Sequence, residues 1–185
     1  MRWLAVVVLV AGCDRVWFID RLPPPTDASD ASDASDSLDA ALVCPAFFTP
    51  SPVTGTSYFY GESTLRWDEA RDACRELSVP SATGFVHLAV ITDRTEYTIA
   101  RGVAGTAAWV GIFDPVAGDN NPMYRAVSVE PLPGDLPWDV SLGQPDNPDV
   151  QTCVRVYLPG GLDDDTCETP QPYLCECDGL IDNGS

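Results

Sequence analysis

The sequence predicts an α+β domain with two helices, small antiparallel sheets and a long loop region, stapled by disulfide bonds. Two segments carry helical periodicity, and several short apolar runs have the length of buried strands. A long stretch rich in Pro, Gly, Asp and Asn lies between them. We divide the chain into a signal segment (1–12), a linker (13–43), the domain (44–178) and a short tail (179–185).

Both helices have recognisable boundaries. The first is predicted over Leu65–Leu77, where apolar residues recur on one face, with Thr64 as its N-cap. The second is predicted to begin at Asp93, because Glu96 follows at the spacing of a capping box. Gly102 is a candidate for its end.

Short apolar runs predict the strands. They are Phe85–Ile91, Ala107–Phe113, Val154–Leu158 and Tyr173–Cys175. Residues 114–149 have little periodicity, and a structureless stretch of this length inside a compact domain is usually functional.

The charge of the chain excludes several functions. It carries 10 basic and 28 acidic residues, for a net charge of −18, and every basic residue is arginine. Such an acidic chain repels phosphate backbones, so we expect no nucleic-acid partner. Without lysine, and with His87 as its one histidine, the chain offers little for nucleophilic catalysis. His87 lies in an apolar run and is predicted to be a core residue. An oxygen-rich acidic protein is still suited to holding a hard cation.

The N-terminus has the pattern of an export signal. The apolar run Trp3–Val10 is too short to span a bilayer and is followed by Ala11, Gly12 and Cys13. This arrangement resembles the lipobox of bacterial lipoproteins, which implies acylation of Cys13 and a lipid anchor in a membrane of the cell envelope. An ordinary signal peptide with an incidental cysteine is the alternative. Asp14 leaves the choice between inner and outer membrane open.

A polar linker follows the signal. Three prolines precede an Asp-Ala-Ser repeat over residues 27–36 that has no large apolar side chain. Such a segment cannot bury enough surface to fold, and its like charges favour an extended tether. Collection of cations by the repeat is the alternative function.

Six cysteines remain when Cys13 is set aside, and an exported chain reaches an oxidising compartment. Three disulfide bonds are therefore expected, although spacing alone leaves the pairing open. The spacing does not resemble that of zinc ligands.

Seven sequence pieces, taken together, resemble the C-type lectin-like domain over residues 44–177. They are the Trp67-x-x-Ala70-x-x-x-Cys74 helix, His87-Leu88-Ala89-x-Ile91 with Glu96, Trp109-Val110-Gly111-Ile112, Trp138 before Gln144-Pro145-Asp146, Cys153, Leu162-Asp163-Asp164 before Cys167, and Cys175-Glu176. The resemblance implies the disulfides Cys74–Cys175 and Cys153–Cys167. Ser57 stands where long-form members have a partner for the N-terminal cysteine, so we predict Cys44–Cys177 for the remaining pair.

The resemblance also implies a calcium site that binds sugar hydroxyls. The matching positions are Gln144, Asp146, Gln151, Asp163 and Asp164, with Pro145 at the position of a cis-proline. Gln151 stands in place of the usual Glu and Asp163 in place of the usual Asn. The number of carboxylates is unchanged, but an ionised aspartate cannot donate the hydrogen bond that the usual asparagine donates to a sugar hydroxyl. An acidic turn without metal is the alternative interpretation of residues 163–165.

The predicted function is calcium-dependent carbohydrate binding by a membrane-anchored envelope protein, without enzymatic activity. The Gln-Pro-Asp triplet implies galactose-type sugars. The family places an aromatic residue in the following loop, and here the candidates are Tyr124, Trp138 and Tyr157, of which Trp138 is expected in the core. The alternative function is a calcium-independent module that binds a protein partner or has a structural role. Acid–base catalysis on a glycoside by Asp163 and Asp164 has the least support.

Overall fold

The computed structural model describes residues 42–78, 85–118, 122–158 and 160–184. The predicted signal segment, Cys13 and the linker up to residue 41 lie outside these ranges. No helix within the described ranges is long and apolar enough to cross a membrane. The elements are β1 (Thr49–Pro50), β2 (Ser57–Leu65), α1 (Trp67–Glu76), β3 (Val86–Leu88), α2 (Arg94–Ala104), β4 (Ala108–Phe113), β5 (Arg125–Ala126), β6 (Cys153–Tyr157), β7 (Gly161–Asp165) and β8 (Gln171–Cys177).

The strands form one mixed sheet rather than the small antiparallel sheets that we expected. Its order is β1-β2-β8-β4-β6-β7, with β3 paired to β8 and β5 paired to β4. The last strand, β8, lies between β2 and β4. It is antiparallel to β2 and parallel to β4, and Trp109 of β4 pairs with Tyr173 of β8. The α+β class is confirmed, and the insertion of β8 joins the parts of the sheet.

Helix α1 begins two residues later than predicted. Thr64 and Leu65 belong to β2, because Leu65 still pairs with Gln171 of β8. The N-cap is Arg66, whose N–H donates to Glu69 Oε2 at 3.0 Å. The prediction of Thr64 as the cap was wrong because sheet pairing outweighs its local capping preference.

Helix α2 begins as predicted and ends later. Asp93 Oδ1 accepts the N–H of Glu96 at 2.8 Å, which confirms the N-cap. Gly102 lies inside the helix, and the end is at Gly105, which has φ +66° and donates its N–H to the carbonyl of Arg101. Gly105 adopts the left-handed conformation that ends helices, so the prediction for Gly102 was wrong.

Strand β7 contains the three consecutive aspartates that one interpretation placed in an acidic turn. Its residues pair with β6 in antiparallel register, Arg155 opposite Asp163 and Val154 opposite Asp164. Aspartate is depleted in strands, so local propensity did not predict this element. The register brings a basic side chain directly opposite an acidic one.

Three disulfide bonds tie the domain together. They are Cys44–Cys177, Cys74–Cys175 and Cys153–Cys167, the pairs expected above. Cys74–Cys175 joins α1 to β8 across a sequence separation of 101 residues. In the chain-entropy model, closing a loop of that size contributes about 4–5 kcal/mol to stability.

Trp67 and Trp109 are buried, as predicted, and their indole N–H groups donate to the carbonyls of Val110 and Leu65. His87 is fully buried in β3, which confirms its assignment to the core.

The described part of the tail, residues 179–184, contacts the domain. Asp182 accepts two hydrogen bonds from the Arg71 guanidinium of α1, and it forms an isolated bridge with Ser128. The N–H of Asn183 donates to the carbonyl of Val127 at 2.7 Å. Asp182 and Asn183, which we had assigned to a separate tail, thus contact the loop region.

Candidate functional site

A turn after Trp138 positions the Gln-Pro-Asp triplet. The carbonyl of Asp139 accepts the N–H of Gln144 at 3.1 Å, and the Asp139 N–H donates to the carbonyl of Leu162 at 2.9 Å. Asp139 Oδ1 also accepts the N–H and the hydroxyl of Ser141. The turn is therefore joined to β7 next to the three consecutive aspartates of that strand. The Gln144–Pro145 peptide bond is cis, as the resemblance implied.

Asp164 links β7 to this triplet. Its side chain accepts the N–H of Asp146 at 3.1 Å and that of Asn147 at 3.4 Å. The residue is only 1% exposed, and burial raises the pKa of its carboxyl, while the two backbone hydrogen bonds oppose the rise. Asp164 thus holds the backbone of the triplet in place.

Asp163 has a different partner. Its Oδ2 accepts hydrogen bonds from Arg155 Nε at 2.7 Å and from Arg155 Nη2 at 2.6 Å. Arg155 Nη1 reaches Asp165 Oδ2 at 2.5 Å, and the guanidinium carbon lies 5.0 Å from the centre of the Tyr157 ring. Burial raises the pKa of Asp163, and the guanidinium opposes that rise.

The two glutamines of the predicted set carry buried oxygens without partners. Gln144 Oε1 and Gln151 Oε1 are inaccessible to solvent and accept no hydrogen bond. A buried carbonyl left in this way costs free energy, so such a group in a folded protein calls for an explanation. Gln151 is placed beside the triplet by its N–H, which donates to the carbonyl of Asn147 at 2.9 Å.

The donors match the chemistry of a hard cation. Calcium takes carboxylate and amide carbonyl oxygens, and the predicted set supplies both. Asp146 lies close enough to Asp163 and Asp164 for its charge to raise the pKa of each. Within the described ranges, however, no three His, Cys, Asp or Glu side chains converge as a metal site. A cation site here therefore needs donors besides carboxylates, and the amide oxygens of Gln144 and Gln151 are candidates.

Of the aromatic candidates, Tyr124 and Trp138 form a pair. Their ring centres are 4.9 Å apart, and both rings line a cleft of about 300 Å³ together with Met123 and Leu136. Trp138 is half-buried rather than enclosed in the core. The Tyr124 hydroxyl is buried without a partner, and burial and the Asp164 charge raise its pKa. Tyr157 is covered by Arg155 instead.

Sequence reasoning missed two residues that shape the site, Asp139 and Arg155. Each is an ordinary surface residue type, and nothing next to either in the chain marks it. The signal for Arg155 was available only through strand register, because it pairs with Asp163 across β6 and β7.

A second group of buried acidic residues lies where β8, β3 and α2 meet. Glu176 is 1% exposed and its Oε2 accepts the N–H of Val90 at 3.0 Å, and burial raises its pKa to about 8. His87 Nε2 donates to Asp178 Oδ1 at 3.1 Å. Burial lowers the pKa of His87, but this hydrogen bond and the Asp178 charge outweigh it and raise the pKa to about 8. Glu96 accepts the hydroxyl of Tyr58 at 3.3 Å.

Comparison with known proteins identifies the family. Residues 63–177 match the model of the lectin C-type domain. The human protein C-type lectin domain family 17, member A is 25% identical over 138 residues, which cover 73% of this chain and 32% of that protein. The chain spans about a third of the length of the curated relatives it matches.

Solved structures have the same fold. The C-type lectin CEL-I from Cucumaria echinata superposes with a TM-score of 0.59 at 18% identity, covering 73% of this chain and 97% of that chain. A calcium-independent type II antifreeze protein superposes with a TM-score of 0.58 at 21% identity, covering 76% and 98%. With the family model matching more than half of its length, the chain belongs to the C-type lectin domain family.

Proposed function

We propose that this protein binds carbohydrate through a calcium ion held by Gln144, Asp146, Gln151, Asp163 and Asp164. The observation that carries the proposal is the pair of buried amide oxygens, Gln144 Oε1 and Gln151 Oε1, that accept no hydrogen bond. A cation bound by Asp164 and these two side chains would give both oxygens a partner. Membership of the C-type lectin domain family and the name of the solved relative CEL-I support the choice of ligand class.

The roles of the side chains follow from their donors and acceptors. Bound calcium supplies an electrophilic centre on which two neighbouring sugar hydroxyls complete the oxygen shell. Each glutamine has an amide NH₂ as well as its oxygen, so Gln144 and Gln151 are able to donate to the hydroxyl oxygens. Asp163 only accepts when ionised. The sugar is therefore expected to receive its hydrogen bonds from the glutamines rather than from position 163.

The sugar class follows from the Gln-Pro-Asp triplet, which favours galactose-type ligands by resemblance. The Tyr124–Trp138 pair offers an apolar surface along the cleft described above, suited to the apolar face of such a ring. We propose binding without catalysis, because Asp163 and Asp164 are engaged by Arg155 and by backbone N–H groups.

A glycan array tests this proposal. The purified protein is applied in millimolar calcium and again in EDTA. We expect binding to terminal galactose or N-acetylgalactosamine in calcium and its loss in EDTA. The Asp146→Ala variant is expected to behave like the wild type in EDTA. Retention of binding by that variant would show that the transferred site is wrong.

A calcium-independent module that binds a protein is the second candidate. The ion pair of Asp163 with Arg155 favours it, since that carboxylate already has a cation. One solved relative is named as calcium-independent. Glycan or protein binding that survives EDTA supports this candidate and excludes the first.

We also propose that Cys13 is lipidated and anchors the protein in a bacterial envelope membrane. The support is the lipobox-like sequence before Cys13. Radiolabelled palmitate is expected to label the protein expressed in a bacterial host, and Cys13→Ser is expected to abolish the label. Label that persists in this variant excludes the anchor at Cys13.

A further inference from the structure

Arg155 lies between two acidic side chains of the neighbouring strand. Its Nε and Nη2 donate to Asp163 Oδ2 at 2.7 and 2.6 Å, and its Nη1 lies 2.5 Å from Asp165 Oδ2. The pairing of β6 with β7 places Arg155 directly opposite Asp163. The contact is thus fixed by the backbone as well as by charge.

The guanidinium is held on several sides. Its side chain is 21% exposed and that of Asp163 is 7% exposed, so water screens the pair poorly. Gln171 Nε2 donates to Asp165 Oδ2 at 2.7 Å and holds the second carboxylate in place. The Tyr157 ring packs against the guanidinium. Displacing this side chain therefore breaks several contacts at once.

Calcium and Arg155 need the same carboxylate. Oδ2 of Asp163 already accepts two N–H groups, so less of its electron density is available to a metal ion. A guanidinium within hydrogen-bonding distance of a ligand oxygen also repels a divalent cation. Both effects oppose calcium at this position.

We propose that Arg155 is an internal cation that competes with calcium for Asp163 and thereby sets the calcium affinity of the site. This inference rests on the proposed function. Asp164, at the adjacent position, has neutral backbone N–H groups as partners, which add no positive charge beside the ion. The competition makes the site a weak one, responsive to calcium concentration rather than permanently filled.

Calorimetric titration with calcium chloride tests the proposal. The wild type, Arg155→Gln and Arg155→Lys are compared, each with its disulfide bonds formed. Because Arg155→Gln frees Asp163 Oδ2 from a cationic partner, we expect this variant to bind calcium at least about tenfold more tightly than the wild type. Arg155→Lys is expected between the two, since an ammonium lacks the fork that engages both carboxylates.

Arg75→Gln is the matched control, because it removes the same charge from an exposed pair with Asp72 on α1. We expect its calcium affinity to equal that of the wild type. An equal gain in Arg75→Gln and Arg155→Gln would reduce the effect to net charge and overturn the proposal. Melting in EDTA confirms that each variant is folded, and Arg155→Lys keeps the test available if Arg155→Gln fails to fold.

A double-variant cycle locates the competition. In the Asp163→Asn background Arg155 keeps Asp165 but no longer competes for a ligand carboxylate, so the gain from Arg155→Gln is expected to shrink to the part that charge repulsion alone supplies. An undiminished gain overturns the role of Asp163.

The outcomes separate this inference from the proposed function. Calcium binding by Arg155→Gln but not by the wild type supports the inference and refutes calcium dependence of the natural protein. Equal affinities in the two proteins overturn the inference and leave the proposed function standing. Binding by neither overturns both.

Discussion

The domain contains two groups of buried carboxylates that are stabilised in different ways. The β7 group, Asp163, Asp164 and Asp165, is satisfied by the Arg155 guanidinium and by backbone N–H groups. The β8 group, Glu96, Glu176 and Asp178, has as partners the Tyr58 hydroxyl, backbone N–H groups and the imidazole of His87. The β7 group is balanced by the permanent positive charge of Arg155. The β8 group contains His87 and Glu176, which gain or lose protons near neutral pH.

This difference assigns different sensitivities to the two groups. A cluster balanced by a guanidinium responds to competing cations, because arginine stays charged at every physiological pH. A cluster whose glutamate and histidine both have a pKa of about 8 responds to protons. The β7 group lies beside the unpaired amide oxygens of the candidate calcium site, and the β8 group lies against the core strands.

The largest effect is expected from Asp164→Ala. Two backbone N–H groups, those of Asp146 and Asn147, lose their charged acceptor. Hydrogen bonds to charged groups contribute about 1.5–3 kcal/mol each, so we expect a loss of about 3 kcal/mol in the free energy of unfolding. Urea unfolding in EDTA measures it. Asp135→Ala, at an exposed position, serves as the control. A loss below about 1 kcal/mol would contradict the anchoring role of Asp164.

The second largest effect is expected from the β8 group, which makes the domain less stable as the pH rises. Between about pH 5 and 8 the folded state holds a proton on Glu176 that the unfolded state releases, because the folded pKa of about 8 lies above the ordinary value of 4.5. His87, raised to about 8 from 6.5, adds to the same trend above pH 6.5. Stability is therefore present at low pH and is lost as pH rises through 8.

We expect the melting temperature in EDTA to fall by several degrees from pH 5 to pH 8. Glu176→Gln retains an oxygen for the Val90 N–H but does not titrate, so the slope should become shallower. Arg155→Gln, in the other group, should leave the slope nearly unchanged. A melting temperature that rises with pH, or an unaltered slope in Glu176→Gln, contradicts the account of this group.

The smallest effects come from one tyrosine hydroxyl at each group. The Tyr58 hydroxyl donates to Glu96, whereas that of Tyr124 is buried near Asp164 without a partner. Tyr58→Phe should cost about 1 kcal/mol in the free energy of unfolding, and Tyr124→Phe should cost nothing or stabilise slightly. Urea unfolding of both variants measures the difference, and the reverse order would show that the two hydroxyls have been wrongly assigned.

The parts of the fold that depend on local pattern could be predicted from the sequence. The Asp93 cap and the buried run around Trp109 are set by neighbours in the chain. Strand β7 could not be predicted, because its three aspartates have little strand preference and the strand forms by pairing with β6. Strand β2 was missed although Tyr58, Phe59 and Tyr60 favour strands. Thr64 was misassigned because it lies in β2, which pairs with β8.

The candidate site was accessible to sequence reasoning only in part. Resemblance supplied Gln144, Asp164 and the other positions matched to a calcium site. The partners of those positions depend on strand register and on the turn at Asp139, which no local pattern encodes. Arg155 is the clearest case, because its position relative to Asp163 exists only in the folded sheet.

The most direct test of the central claim is the melting temperature of the wild type and of Asp164→Ala in millimolar calcium and in EDTA. A ligand that binds only the folded state raises the free energy of unfolding by RT ln(1 + [L]/Kd), where [L] is the free ligand concentration. We predict a clear rise for the wild type in calcium and none for Asp164→Ala. The absence of any rise in the wild type, or an equal rise in the variant, would contradict a calcium site at the Gln-Pro-Asp triplet and β7.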